Sequence, residues 1–95
     1  MSIAHVNRFE TDQPDHVLTQ LRGYKERELD RSPPKGLRAA RILRGIDGRR
    51  VSLYTEWDNA QALEDVRDSA PWEACMDLAE VHADQHREET YQIEE

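Results

Sequence analysis

Histidine and asparagine side chains are the groups in this sequence best suited to proton transfer or to hydrogen bonding with a small ligand. Asn7 lies in an alternating stretch, where it shares a face with His5 and Phe9. An uncharged amide on a mostly apolar strand face can hydrogen-bond a carbonyl or phenolate oxygen in a pocket beneath covering helices. The alternative is a structural amide, whose hydrogen bonds are satisfied by neighbouring backbone or water.

His82 and His86 are four residues apart in a stretch predicted as helix, so both could face one metal ion. Only His5 is conceivable as a third ligand, and we therefore predict no metal site. Two histidines near a helix C-terminus also complement the helix dipole without any metal. A third interpretation is acid–base chemistry, because neutral imidazole titrates near the working pH. On that interpretation His82 or His5 is the predicted proton acceptor.

Large apolar side chains near these groups are candidates for a substrate-binding wall. Trp57 ends a predicted strand, and Trp72 and Met76 share one stripe of a predicted helix with Cys75. Tryptophan at a junction of helix and sheet is more often a core residue, which is the competing interpretation. Cys75 is the only cysteine, so an internal disulfide is excluded, and we expect a buried thiol.

Composition narrows the classes of function. The chain has 95 residues, which we expect to form one domain spanning 1–95, and its net charge is −7. That charge argues against nucleic-acid and anionic-membrane partners, which need clustered lysine and arginine. Glycine-rich phosphate loops, G-x-S-x-G elbows and H-E-x-x-H motifs are absent from the sequence. With no apolar run long enough for a membrane span and no visible signal peptide, a cytoplasmic protein is expected.

The elements that would position these residues follow from periodicity and turn signals. Period-two alternation and an Asp47-Gly48 turn predict a hairpin, and stripes at helical spacing predict two helical regions, the second of them broken at Ser69-Ala70-Pro71. The predicted strands span 3–10, 37–44, 50–57 and 88–94, and the predicted helices cover 15–29, 60–67 and a stretch that begins at Pro71.

This order of elements predicts an α+β fold of the ferredoxin-like, split βαβ type, with a four-stranded antiparallel sheet and the helices on one face. Val6, Ala40 and Ile42 are expected on the uncovered face. A chain this short buries only about 60–65% of its unfolded surface, so a second copy packed sheet to sheet is the expected cover. The sequence therefore predicts a homodimer.

The chain resembles the antibiotic biosynthesis monooxygenase family of the dimeric α/β barrel superfamily over nearly its whole length. The resemblance rests on Asn7-Arg8-Phe9, on the hairpin at 43–48, and above all on Leu53-Tyr54-Thr55-Glu56-Trp57-Asp58-Asn59-Ala60-Gln61-Ala62-Leu63. It implies a homodimer in which each subunit holds a pocket between helices and sheet. Several such proteins oxidise aromatic polyketide intermediates to quinones with molecular oxygen and no cofactor.

Carried onto this sequence, the resemblance implies a catalytic role for Asn7 and gives Trp57 a family tryptophan position. In the haem-degrading branch the corresponding tryptophan and haem-ligating histidine fall on Val66 and Met76, so haem chemistry is disfavoured. The leading hypothesis is a cofactor-free monooxygenase for an aromatic or polyketide-type substrate. Its predicted catalytic residues are Asn7, Trp57 and His82, and its predicted substrate-binding residues are His5, Phe9, Trp72 and Met76. The alternatives are a non-catalytic ligand-binding or regulatory dimer and a polyketide cyclase-like protein.

Overall fold

The fold is described from a computed structural model, which covers residues 1–94. These residues form four strands and three α-helices. The elements in chain order are β1 (Ile3–Glu10), α1 (Pro14–Tyr24), β2 (Leu37–Arg44), β3 (Arg50–Trp57), α2 (Ala60–Arg67), α3 (Ala70–Val81) and β4 (Gln85–Gln92). The strands form one antiparallel sheet in the order β2-β3-β1-β4. The predicted α+β, ferredoxin-like class is confirmed.

The β2–β3 hairpin turns at the predicted Asp-Gly pair. Gly45 N–H donates to the Arg50 carbonyl over 2.7 Å, and Gly48 adopts a left-handed φ of 74°. A glycine accepts that conformation without the steric cost of a β-carbon. The turn therefore fixes which residues of the two strands face each other.

The helices cover one face of the sheet because their apolar stripes match its apolar residues. Side chains of α1 and α3 pack on Phe9, Val51 and Leu53, each of which is fully buried. Both helices after β3 begin at capped residues, since the Asn59 side chain accepts from Ala62 N–H and Ser69 from Trp72 N–H. These caps separate α2 from α3 at the predicted break.

The first helical region continues past Tyr24 as a π-helical segment, Lys25–Asp30. Two ion pairs in this region, Lys25 with Asp30 and Glu26 with Arg31, join residues five apart, which is the repeat of π-helical hydrogen bonding. The helix predicted to end near Leu29 is thus continuous, and it changes its winding just after Gly23 instead of breaking.

The prediction that Ala40 and Ile42 lie on the uncovered face was wrong. A β-bulge between Leu37 and Ala39 adds one residue to β2, so Ala40 pairs with Thr55. In this register Ala40 and Ile42 pack on the helix-side core. The physical reason is that one extra residue reverses the face of every residue beyond it.

The assignment of His82 and His86 to one helix was also wrong. Helix α3 ends at Val81, His82 caps it, and His86 lies on β4, which begins three residues earlier than predicted. Strand β4 is an edge strand, as expected. Within residues 1–94, no helix has both the length and the apolar character needed to cross a membrane.

Candidate functional site

Asn7 lies at the centre of a polar chain that crosses the helix-covered side of β1. Its side chain is fully buried, with Oδ1 2.9 Å from Nε2 of His86 and Nδ2 3.4 Å from Nδ1 of His5. His86 reaches this amide from the neighbouring edge strand, where it is paired in register with Phe9. Beyond it, Nδ1 of His86 lies 2.6 Å from a carboxylate oxygen of Glu80 on α3.

The hydrogen-bonding roles in this chain differ for the two imidazoles. Both nitrogens of His86 face oxygen atoms, the Asn7 amide oxygen and the Glu80 carboxylate, so whichever nitrogen carries a proton can donate it to the oxygen that it faces. Nδ1 of His5 instead receives the Asn7 amide N–H, which leaves His5 neutral with its proton on Nε2. Turning the Asn7 amide over would require the neutral His5 ring to carry its proton on Nδ1, and the unprotonated Nε2 would then face the Glu88 carboxylate oxygen.

Burial is the largest influence on His5. It lowers the pKa of His5 below the ordinary value of 6.5, and the partial offset comes from Glu88. Nε2 of His5 lies 3.1 Å from Glu88 Oε1, yet it lacks the alignment of a hydrogen bond and has no other partner among the described residues. His5 is therefore a buried donor whose hydrogen-bonding capacity is not fully used.

An open cleft of about 550 Å³ lies beside this polar chain, between α2 and α3 on one side and β4 on the other. Trp72 and Met76 supply its apolar surface, and the remaining wall is charged or polar. Its other lining residues are Glu64, Arg67, Asp68, Glu73, Asp77, Glu80, His86 and Glu88. The cleft exposes His86 and Glu88 to a ligand while Asn7 stays beneath them.

One cation organises the carboxylates at the α2 end of the cleft. The Arg67 guanidinium pairs with Glu64 over 2.8 Å and also with Glu88 of β4. Glu88 thus has the Arg67 guanidinium on one side and His5 on the other. This bridge ties α2 to the edge strand and sets the position of the carboxylate next to His5.

Five of the sequence-predicted site residues come together at this place. Asn7 and His5 form the buried chain, Trp72 and Met76 line the cleft, and Phe9 stacks on His86 with ring centroids 4.2 Å apart. The Trp72 ring also lies 5.8 Å from the His5 ring. The three strand residues are held by the pleat of β1, which points His5, Asn7 and Phe9 to one face.

Two predicted residues lie outside the cleft lining. Trp57 is buried in a separate cluster with Ile3 and Leu63, and its indole N–H donates to Thr55 Oγ1 over 2.8 Å. The His82 ring lies 4.7 Å from the ring of His16, and its backbone carbonyl accepts from Thr11. The geometry provides no contact of either residue with the Asn7 chain.

Sequence reasoning missed the acid–base pair of His86 and Glu80. The signal was present in the tail, because the predicted face of Thr90 and Gln92 extends backward in steps of two to Glu88 and His86. That face of β4 contains no apolar residue, so the usual mark of an inward-facing strand surface was missing. The predicted strand therefore begins at Glu88, three residues after the true start of β4.

The remaining reactive groups do not add a second centre. Burial raises the pKa of the Cys75 thiol to about 11, so the thiol stays protonated and is a poor nucleophile. Its sulfur lies 3.8 Å from the Gln20 carbonyl, as a buried weak donor does. Within the described part of the chain, no three histidine, cysteine or carboxylate side chains are grouped as a metal site.

The architecture is that of a ferredoxin-like α+β protein. Comparison with known proteins shows which solved structures share this fold. No protein-family model and no curated protein sequence matches the chain. Among solved structures, a Nitrosomonas europaea protein provisionally named an antibiotic biosynthesis monooxygenase superimposes with a TM-score of 0.81. The two chains are 14% identical, over 95% of this chain and 88% of that one.

Two other structures extend the comparison. SnoaB, a cofactor-independent oxygenase from Streptomyces nogalater, gives a TM-score of 0.73 at 12% identity, over 99% of this chain and 94% of its own. A dimeric protein of ferredoxin-like fold from Bacteroides fragilis gives 0.72 at 13% identity, over 97% and 96% of the two chains. The predicted resemblance is confirmed as a likeness of fold.

Proposed function

We propose that this chain is a cofactor-independent monooxygenase, which oxidises a hydroxylated aromatic or polyketide-type substrate to a quinone in the cleft between α3 and β4. The observation that carries the proposal is the Asn7 amide, held between two imidazoles directly beneath a cleft of about 550 Å³. Similarity of fold to a cofactor-independent oxygenase supports the same reaction class. The substrate itself supplies the electrons for this chemistry, and molecular oxygen accepts them.

The acid–base step is assigned to the pair of His86 and Glu80. The substrate hydroxyl transfers its proton to the Glu80 carboxylate, which is half exposed at the cleft rim. The His86 ring contacts this carboxylate through Nδ1 and so fixes its position, and Asn7 holds that ring by its amide oxygen. Asn7 acts here as a positioning residue.

The oxidation step balances with one molecule of oxygen. The deprotonated substrate transfers electrons from its activated ring carbon to oxygen, and a carbon–oxygen bond forms at that carbon. One oxygen atom remains as the new carbonyl of the quinone, and the other leaves as water with the single hydrogen of the oxidised ring carbon and the hydroxyl proton that Glu80 returns. Trp72 and Met76 form the apolar surface against which the aromatic framework packs.

The proposal includes a homodimer that covers the open face of the sheet. Val6, Tyr54 and Leu43 lie on that face, and Leu43 is 49% exposed. Nε of Arg8, on the same face, is buried without a hydrogen-bond partner among the described residues. A second copy would bury these side chains and offer an acceptor to Arg8. The Bacteroides fragilis structure of this fold is dimeric, which supports the same arrangement here.

Oxygen uptake with metal-free protein and 1,8-dihydroxyanthrone tests the proposal. We expect turnover that is unaffected by chelator, absent without oxygen, and reduced at least tenfold by His86→Gln, because one acid–base group contributes about 10²–10⁴-fold. His16→Gln is the matched control, an exposed histidine outside the cleft. Absence of oxygen uptake contradicts the proposal, as does full activity in His86→Gln. Loss of activity in His82→Gln alone would instead support the sequence prediction for that residue.

A non-catalytic ligand-binding dimer is the second candidate function. It is favoured by the composition of the cleft, where eight of the ten lining residues are charged or polar, since an apolar substrate prefers a closed apolar pocket. This candidate predicts that 1,8-dihydroxyanthrone binds without oxygen uptake. A cyclase-like protein would instead transform its substrate equally well under nitrogen, so comparing aerobic and anaerobic reactions separates the three functions.

A further inference from the structure

A second cavity, of about 320 Å³, lies where the π-helical segment meets the end of α2 and the start of α3. The residues that define it here, as the Tyr24 cavity, are Tyr24, Glu28, Pro34, Lys35, Val66 and Pro71. None of its lining residues also lines the cleft between α3 and β4. The proposed oxidation therefore makes no use of this space.

The Tyr24 hydroxyl is a polar group inside this cavity that lacks a partner. Tyr24 is 1% exposed, and its ring packs edge-on against Trp72 with centroids 5.6 Å apart. The hydroxyl makes no hydrogen bond within residues 1–94, yet the fully enclosed atoms without a partner there are only Nε2 of His5 and Nε of Arg8. The Tyr24 oxygen therefore opens into the cavity that Tyr24 lines. Burial raises the pKa of Tyr24, so the phenol stays neutral and can donate a hydrogen bond.

The π-helical segment places a carboxylate on the same wall. Glu28 lies within it, four residues after Tyr24, and its negative charge adds to the rise in the pKa of Tyr24. Winding of the π type is rare and is found frequently at functional sites. Here it begins directly after Tyr24. The change of winding thus accompanies a wall on which a hydrogen-bond donor and an acceptor lie near each other.

The chemistry of the cavity favours a neutral ligand that carries a hydroxyl group. A hydroxyl oxygen can accept from Tyr24 while its hydrogen is donated to Glu28, whose ionised carboxylate only accepts. Charges of both signs, from Lys35 and Asp65, lie on the same lining, so neither a cation nor an anion is preferred there. The apolar part of the wall, to which Val66 contributes, suits a hydrocarbon framework.

We propose that the Tyr24 cavity binds a small neutral molecule with an apolar framework, whose hydroxyl group lies between Tyr24 and Glu28. This is a second binding site, separate from the cleft, and it does not depend on the oxidation proposed there. Its volume of about 320 Å³ is at the lower end for ligand pockets, which favours a compact ligand of one ring.

Three single-ring probes test the proposal in titrations followed by amide NMR shifts. They are benzyl alcohol, which carries the hydroxyl; toluene, which lacks it; and benzylamine, which is a cation. We expect benzyl alcohol to bind about tenfold more tightly than toluene, because its hydroxyl gains hydrogen bonds in a nearly buried place, and more tightly than benzylamine. The shifted amides should lie in the π-helical segment and around the start of α3, and those of β4 should stay unchanged.

Tyr24→Phe removes the hydroxyl and keeps the ring, so benzyl alcohol should then bind about as weakly as toluene. Tyr54→Phe, on the uncovered face of the sheet, is the matched control and should keep the preference. Glu28→Ala, at a partly exposed position, should reduce the same preference and decides the matter if Tyr24→Phe does not fold.

Equal binding of benzyl alcohol and toluene would overturn the inference, as would a preference that survives in Tyr24→Phe or shifts confined to the cleft. Tighter binding of benzylamine would reject the neutral ligand. Oxygen uptake with 1,8-dihydroxyanthrone reports on the cleft alone, so the failure of either proposal is seen separately from that of the other.

Discussion

Two regions beneath the helices share β1 but differ in chemistry. In the closed region, Leu21 of α1 packs on Val51 and Leu53, and all three are fully buried. In the cleft region, the same strand presents His5 and Asn7 to charged groups on α3 and β4. The boundary is Phe9, whose ring packs in the closed region and stacks on His86. The packing that stabilises the sheet thus lies over β1 and β3, whereas the groups that could take part in chemistry lie on β1 and β4.

The largest expected effect is on stability in the closed region. Leu21→Ala should lower the free energy of unfolding by about 3–5 kcal/mol, because it removes apolar burial and leaves a cavity that the helix cannot fill. Met76→Ala in the cleft region should cost about 2 kcal/mol, at the lower end for such changes, since the vacated space joins the open cleft. Denaturant unfolding of the two variants measures the difference. Equal losses would show that the two regions are packed alike.

Replacing the amide at the centre of the cleft region comes next. Asn7→Ala should destabilise the protein by about 1–3 kcal/mol, because it leaves the facing nitrogens of His5 and His86 without partners in a buried place. It should also change the ring ¹⁵N signals of both histidines. Asn59→Ala, which removes a helix cap away from the cleft, is the matched control and should leave those signals unaltered. Unaltered signals in Asn7→Ala would contradict the hydrogen-bonded chain.

A pH dependence should distinguish the buried histidine. Because burial lowers the pKa of His5 in the fold below its unfolded value of 6.5, the unfolded chain binds more protons as the pH falls below 6.5. The contribution of neutral His5 to stability is therefore complete above that value and is lost as the pH falls toward its lowered pKa. Unfolding measured above and below 6.5 should show this loss in the native chain and a smaller one in His5→Gln. Identical pH dependence of unfolding in the native chain and in His5→Gln would contradict this role of His5.

The smallest expected effect is a gain. Asp77→Asn should stabilise the protein by about 0.2–0.5 kcal/mol, because it removes a repulsive pair with Glu73 on one helix face. Thermal unfolding of this variant at low salt is the measurement, with Glu26→Gln as the control that should show no gain. A loss of stability in Asp77→Asn would contradict this expectation, since it would mean that the carboxylate has a stabilising partner in the fold.

Much of the fold was predictable because local rules agree with the tertiary structure. The hairpin at Asp47-Gly48, the helix start at Asn59 and the break before Pro71 each follow from a residue's own conformational preference. The bulge at β2 was not predictable in this way. It depends on where Leu37 must pack against Trp57, and that pairing exists only in the folded sheet.

The site was predictable where an apolar pattern surrounded the polar residue. Asn7 and His5 stand out on a strand face that also carries Ile3 and Phe9. His86 has no such context, since its neighbours in the tail are polar on both faces of the strand. Its partnership with Glu80 joins a helix end to an edge strand, and nothing in the local sequence fixes that distance.

Because β2 contains one extra residue, the contacts at both of its ends can form at the same time. At one end, the Gly36 carbonyl accepts from Asp58 N–H, with Gly36 at a left-handed φ of 88° and its α-carbon close against Ala62. At the other end, the hairpin sets the pairing of residues 39–44. Deleting Arg38 would break one of two contacts, either the packing of Leu37 beneath the helices or the pairing of Ile42 with Leu53. The loss of one residue would therefore exchange the apolar, helix-covered face of β2 with its solvent-exposed face along part of this edge strand.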